Sequence, residues 1–176
     1  MLDNESFVPW NTIGRWQEAN ACLAKTIGNH APALADCRRQ ARQTRRLLDS
    51  LFPLMEDLCR RTCPACTDIC CQRAWVWADF RDLLFFHLDG ISVPERQLVS
   101  RQGDHCRYAG PAGCRLDRLQ RPFVCTWYIC PAQTRLLDNR PKEKRHLTSA
   151  LEQIKALRKQ MESAFIRVVG GNGIAA

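Results

Sequence analysis

No stretch of the 176 residues approaches the roughly 18 consecutive apolar side chains of a membrane-spanning helix, so no membrane partner is expected. The opening MLDNESFVPW has neither the basic stretch nor the apolar core of a secretory signal, which favours a cytoplasmic protein. Histidine is scarce, with four scattered copies, and no Ser/His/Asp set can be assembled from them. A glycine-rich phosphate or nucleotide loop is also missing. Any enzymatic activity would therefore draw its chemistry from a metal or a partner, and the sequence assigns no catalytic residue. Acidic residues are in short supply too, 18 against 26 Lys and Arg, for a net charge of +8.

That excess points weakly to a nucleic-acid or acidic-protein partner. Arg38, Arg42, Arg45 and Arg46 recur at three- and four-residue steps, with Arg39 beside them, and would form a basic stripe on a helix. A solvated helix face is the favoured reading of that stripe. Metal-bound thiolates would also reduce the formal positive charge.

Cysteine, by contrast, is abundant: the chain has 11. A reducing compartment disfavours a disulfide framework, so the thiols call for another explanation. Cys22 and Cys37 stand alone among helix formers and read as small buried hydrophobes. The other nine fall between Cys59 and Cys130.

The expected fold is mainly α: long helices packed around an irregular cysteine-rich core with short helices, in a single domain spanning 1–176. A short helix is expected over Ile13–Thr26. Pro32 suits the first turn of a long helix over 32–58, whose apolar face is Leu34, Cys37, Ala41, Leu48, Leu51, Met55 and Leu58. Pro53 should kink or restart it. Asp79 to Gly90 reads as a short buried helix. Ser92 and Glu95 have capping-box spacing, predicting another helix to about Ser100. The glycines and prolines over 101–131 predict turns. A second long helix over 141–169 carries Leu147, Leu151, Ile154, Leu157, Met161, Phe165 and Val168 on one face, ended by Gly170-Gly171, and should pair antiparallel with the first.

The densest cysteine group is Cys59, Cys63, Cys66, Cys70 and Cys71, and Cys106, Cys114, Cys125 and Cys130 follow downstream. Two cysteines separated by two residues, as Cys63 and Cys66 are, can aim both sulfurs at one ion while the turn offers N–H groups to them. Gly113, Pro122 and Pro131 would set and stiffen the loops around Cys114, Cys125 and Cys130. Zinc and iron–sulfur both accept four thiolates, and the spacing matches neither a bacterial ferredoxin run nor a zinc ribbon. His87 reads as a core histidine and His105 as a minor ligand candidate. Trp75 and Trp77 read as packing around the metal.

The order C-x2-C, Cys-Cys, spacer, Cys, Gly-Cys-x-Leu, Arg-Pro-x-x-Cys and Tyr resembles the CxxCxxCC, or YkgJ-like, cysteine-cluster family. Cys63, Cys66, Cys70, Cys71, Cys106, Gly113, Cys114, Leu116, Arg121, Pro122, Cys125 and Tyr128 carry the resemblance, within about residues 59–131. Three residues rather than two separate Cys66 from Cys70, which leaves Cys70 and Cys71 as alternative ligands, and Thr126 stands where the family commonly has arginine.

The resemblance implies a zinc- or iron-chelating domain. A related cluster in flagellin lysine N-methylases is associated with an iron–sulfur centre. The expectation is therefore an iron–sulfur cluster, [4Fe–4S] favoured, serving redox, sensing or a protein-modification reaction with a protein partner. The candidate metal ligands are Cys63, Cys66, Cys70, Cys71, Cys106, Cys114, Cys125 and Cys130. Cys63, Cys66, Cys71 and Cys106, with Cys114 or Cys125, lead that set, and Cys59, Cys70 and Cys130 are extra or supporting thiols. An uncoordinated Cys70 or Cys130 beside a cationic cluster would be acidified and reactive. The alternative is a structural zinc module presenting its basic helix to nucleic acid or an acidic protein.

Overall fold

The computed structural model describes residues 8–64, 66–67, 69–70, 76–110 and 113–171. It is mainly helical. Helix α1 (Ile13–Asn29) starts at Thr12, whose hydroxyl accepts the Arg15 N–H at 3.3 Å. Helix α2 (Ala35–Thr62) buries Cys37, Ala41, Leu48, Leu51, Met55 and Leu58, the face expected from the sequence. Helix α3 (Phe80–Asp89) is bracketed by an Asp79–Asp82 capping box and by Gly90 at φ 70°, the left-handed turn that favours glycine. Strands β1 (Ala109–Gly110) and β2 (Gly113–Cys114) pair antiparallel. A 3-10 turn (Arg118–Gln120) and helices α4 (Val124–Trp127), α5 (Pro131–Asp138) and α6 (Pro141–Gly171) complete the order.

α2 and α6 form the antiparallel pair. Cys37 near the start of α2 reaches the Met161 carbonyl, and Asp57 near its end pairs with Arg140 just before α6. α3 packs against both members of this pair and α1 packs against α3, burying Leu83, Leu84, Phe86, Trp16 and Leu23 in the shared core, and each fully buried large side chain contributes about 1.5–3 kcal/mol. No helix among the described residues is long and apolar enough to cross a membrane.

Several expectations need correction. Pro32 lies in the turn before α2, whose N-cap is Leu34, so the helix spans 35–62 rather than 32–58. α2 does not restart at Pro53. The carbonyl that loses its donor there belongs to exposed Asp49, where water can serve it. No helix forms over 92–100. The Pro94 carbonyl is taken by the Trp16 indole at 2.8 Å, Tyr108 Oη binds both the N–H and the C=O of Arg96, and the Leu98 carbonyl accepts from Arg107 N–H. Those long-range bonds commit the groups a helix would need. In 101–131, α4 is a short helix where turns were expected, and α5 goes unanticipated because Pro131 opens a helix at its first position instead of stiffening a loop. Cys22 is exposed, whereas Cys37 is buried.

Candidate metal centre

Cys59 occupies the last turn of α2 and Cys63 caps it. Cys63 N–H donates to the Cys59 carbonyl at 2.8 Å, and Cys66 N–H donates to the Cys63 carbonyl at 3.1 Å. A backbone bond thus ties Cys66 to Cys63 just past the helix end. Cys59 Sγ accepts from Arg118 at 3.7 Å and from Gln133 at 3.6 Å. Gln133 in α5 also accepts the Cys130 N–H at 3.4 Å, so one amide ties Cys59 to Cys130. Desolvation, then the nearby Cys59 and Cys70 thiols, push the Cys63 thiol up to about 11.

A second group forms around the hairpin. Cys106 is buried and its carbonyl accepts Ala109 N–H at 3.1 Å, while Cys114 on β2 faces Ala109 across the ladder. Gly113 has φ 110°, a left-handed backbone that favours glycine just before Cys114, as its sequence position suggested. Burial raises the Cys106 thiol, with Cys114 adding to it, and burial lifts Cys125 on α4 far higher, with Cys106 and Cys114 adding. Each of these three thiols is within electrostatic reach of another.

Buried polar networks hold this second group in place. Asp82, fully enclosed, accepts the Phe123 N–H at 2.9 Å and the Arg158 guanidinium at 2.6 Å. Arg158 also binds Asp79 at 2.8 Å and lies 4.9 Å from the Phe123 ring centroid. The loop entering α4, and with it Cys125, is therefore fixed to α3 and α6. Desolvation pushes the Asp82 carboxyl up to about 6, against the opposing pull of Arg158. Gln97 does similar work upstream: its amide bonds Ala78 N–H and C=O, Leu98 N–H and the Pro9 carbonyl, all at 2.8–3.0 Å.

The expected ligands thus fall into two groups. Cys63, Cys66 and Cys70 gather with Cys59 at the end of α2, where Gln133 adds Cys130, and Cys106, Cys114 and Cys125 gather at the hairpin and α4. Cys71 and Trp75 lie outside the described residues. Among the described residues no three His, Cys, Asp or Glu side chains stand together in coordinating geometry, and Cys22, Cys37, Cys59, Cys63, Cys66, Cys106, Cys114, Cys125 and Cys130 are free thiols. The donor chemistry fits a soft thiophilic metal or iron–sulfur cluster: sulfur dominates, and N–H donors already aimed at Cys59 suit a sulfur that carries charge. His105 is exposed beside Cys106. His87, half-buried, bonds Asn20 at 2.9 Å, as expected of a core histidine. Trp77 is half-buried, and Tyr128 packs edge-on against Trp127 with both partly exposed.

Sequence reasoning missed Asp82, Gln97, Arg118, Gln133 and Arg158. Arg158 had a visible signal, because it sits four residues after Ile154 and three before Met161, on the apolar stripe. On the basic stripe, Arg39 pairs with Asp36, and Arg45 pairs with Asp49 and Asp89. Compared with protein-family models, curated proteins and solved structures, the chain has no significant match.

Proposed function

We propose that the cysteines between Cys59 and Cys130 hold an iron–sulfur cluster, [4Fe–4S] favoured, used for redox, sensing or support of a protein-modification reaction on a protein partner. The observation that carries this reading is the gathering of thiols into two groups, Cys59 bridged to Cys130 through Gln133 in one and Cys125 within electrostatic reach of Cys106 and Cys114 in the other. The resemblance to the CxxCxxCC cluster supplies Cys63, Cys66, Cys70 or Cys71, Cys106, Cys114 and Cys125 as candidates, and Cys59 and Cys130 stand beside them as extra or supporting thiols. A bound cluster would supply one-electron chemistry that no side chain here offers. The protein's own part is to fix sulfurs on α2, the hairpin and α4, and to direct the Arg118 and Gln133 donors at Cys59.

A zinc staple with a nucleic-acid or acidic-protein surface on α2 is the second reading. It is favoured by exposed Arg42 and Arg46, which have no ion pair among the described residues. The test is anaerobic purification with an absorbance spectrum and assays for iron, zinc and sulfide. Broad visible absorption with iron and sulfide, lost in Cys63→Ser but kept in Cys22→Ser, is expected. A colourless protein that retains stoichiometric zinc would overturn the iron–sulfur reading and turn attention to Arg39, Arg42 and Arg46.

A further inference from the structure

Three arginines share one cleft. Arg39, Arg45, Arg60, Arg61, Arg81, Arg118, Arg140 and Arg158 all pair with carboxylates. Arg96, Arg107 and Arg115 have no carboxylate within ion-pair distance among the described residues, yet they line one open cleft of about 700 Å³. Arg107 spends its donors on neutral acceptors, the Gln97 carbonyl at 3.1 Å and the Ser100 hydroxyl, and Arg115 donates to the Arg107 carbonyl. A guanidinium carries five N–H donors, so most remain available. Glu95 is the one acid among the described residues of the cleft wall, leaving the positive charge there largely uncompensated.

The backbone that carries these arginines is fixed before any ligand arrives. Tyr108 Oη donates to the Arg96 carbonyl at 3.0 Å and accepts its N–H at 3.1 Å. Arg107 N–H reaches the Leu98 carbonyl and Arg115 N–H the Tyr108 carbonyl, both at 2.9 Å. Pro94 and Leu116, both buried, contribute apolar wall. Several guanidiniums around a partly apolar hollow suit carboxylate or phosphoryl oxygens held by paired N–H bonds, and the volume lies within the roughly 300–1,000 Å³ of small-molecule sites.

We propose that this cleft binds a small organic polyanion through phosphoryl or carboxylate groups held by Arg96, Arg107 and Arg115. The site uses none of the candidate metal ligands, so it stands whether or not the cysteines hold a cluster. Arg107 and Arg115 directly follow Cys106 and Cys114, so an occupied cleft lies along the backbone that carries those two thiols.

The test is calorimetric titration of the full chain with pyrophosphate and, separately, with citrate, at fixed ionic strength. Three proteins are compared: the parent, Arg96→Ala/Arg115→Ala, and a control with Arg42→Ala/Arg46→Ala on α2. One saturable site is expected for at least one probe, and which probe binds distinguishes phosphoryl from carboxylate recognition. The cleft variant should weaken binding by about tenfold or more, the loss expected when charge-assisted bonds are removed, and the control by less than about twofold. Arg107→Lys keeps the charge but loses the fork, and should also weaken binding. No saturable heat with either probe, or equal weakening in cleft and control variants, would overturn the proposal.

Discussion

Replacing Arg158 with methionine removes the cation from a buried network while preserving much of the side-chain volume. Two charge-assisted bonds, at 2.6 Å to Asp82 and 2.8 Å to Asp79, disappear together with the contact on Phe123. Asp82, with 4% of its side chain exposed, stays behind without its counter-charge. Stranding one partner of a buried pair costs about 3–5 kcal/mol. At a urea slope of about 2 kcal/mol per molar, the unfolding midpoint should drop by about 2 M. The loss should depend on pH. Burial already raises the folded Asp82 carboxyl above its unfolded value, and removing Arg158 raises it further. A carboxyl raised in the folded state favours folding at low pH, and that contribution fades as pH climbs through the folded value. Arg158→Met should therefore cost more at pH 8 than at pH 5, as read from urea midpoints by circular dichroism. A cost below about 1 kcal/mol at both pH values, or a larger cost at pH 5, would refute the reasoning.

Other consequences are equally open to measurement. Gln97→Leu leaves the Ala78 and Leu98 N–H groups and the Pro9 and Ala78 carbonyls without their side-chain partner, and should cost more than about 3 kcal/mol in a urea titration. Arg60, Arg140 and Arg61 hold the Asp57 carboxyl well below the usual carboxylate range. Its contribution is present above about pH 4 and is lost as pH falls toward the depressed folded value. Asp57→Asn should therefore flatten the acid side of the stability–pH profile, with little further loss below pH 3. Gln133→Leu removes one of the two donors on Cys59 and the acceptor for Cys130 N–H, so metal retained through anaerobic dialysis should fall relative to the parent.

The two long helices and their antiparallel pairing were legible because apolar residues from Leu34 to Leu58 and from Leu147 to Phe165 recur at helical steps. Asp79 and Gly90 announced α3 from either end through local chemistry. The segment from Ser92 to Ser100 shows where local rules stop: its capping-box spacing is intact, yet Trp16, Tyr108 and Arg107 claim its backbone from far along the chain. α5 was hidden for a related reason, since Cys130 and Gln133 form a capping box outside the Ser/Thr and Glu pattern that a reader looks for. At the candidate site, the cysteines could be chosen from sequence because their clustering is compositional. The groups that orient them, Asp82 with Arg158 on one side and Gln133 with Arg118 on the other, could not be paired from sequence. Asp82 and Arg158 meet across helices α3 and α6, and no spacing rule relates those positions.

Metal-edge X-ray absorption on anaerobically purified protein tests most directly whether the cysteines are ligands. An iron edge with a sulfur shell and iron–iron scattering, diminished in Cys125→Ser and unchanged in Cys22→Ser, is the predicted result. A zinc edge with four sulfurs at about 2.3 Å would replace the cluster with a structural ion. A protein that carries no tightly held metal, or one whose metal is bound by nitrogen and oxygen alone, would contradict a thiolate metal centre.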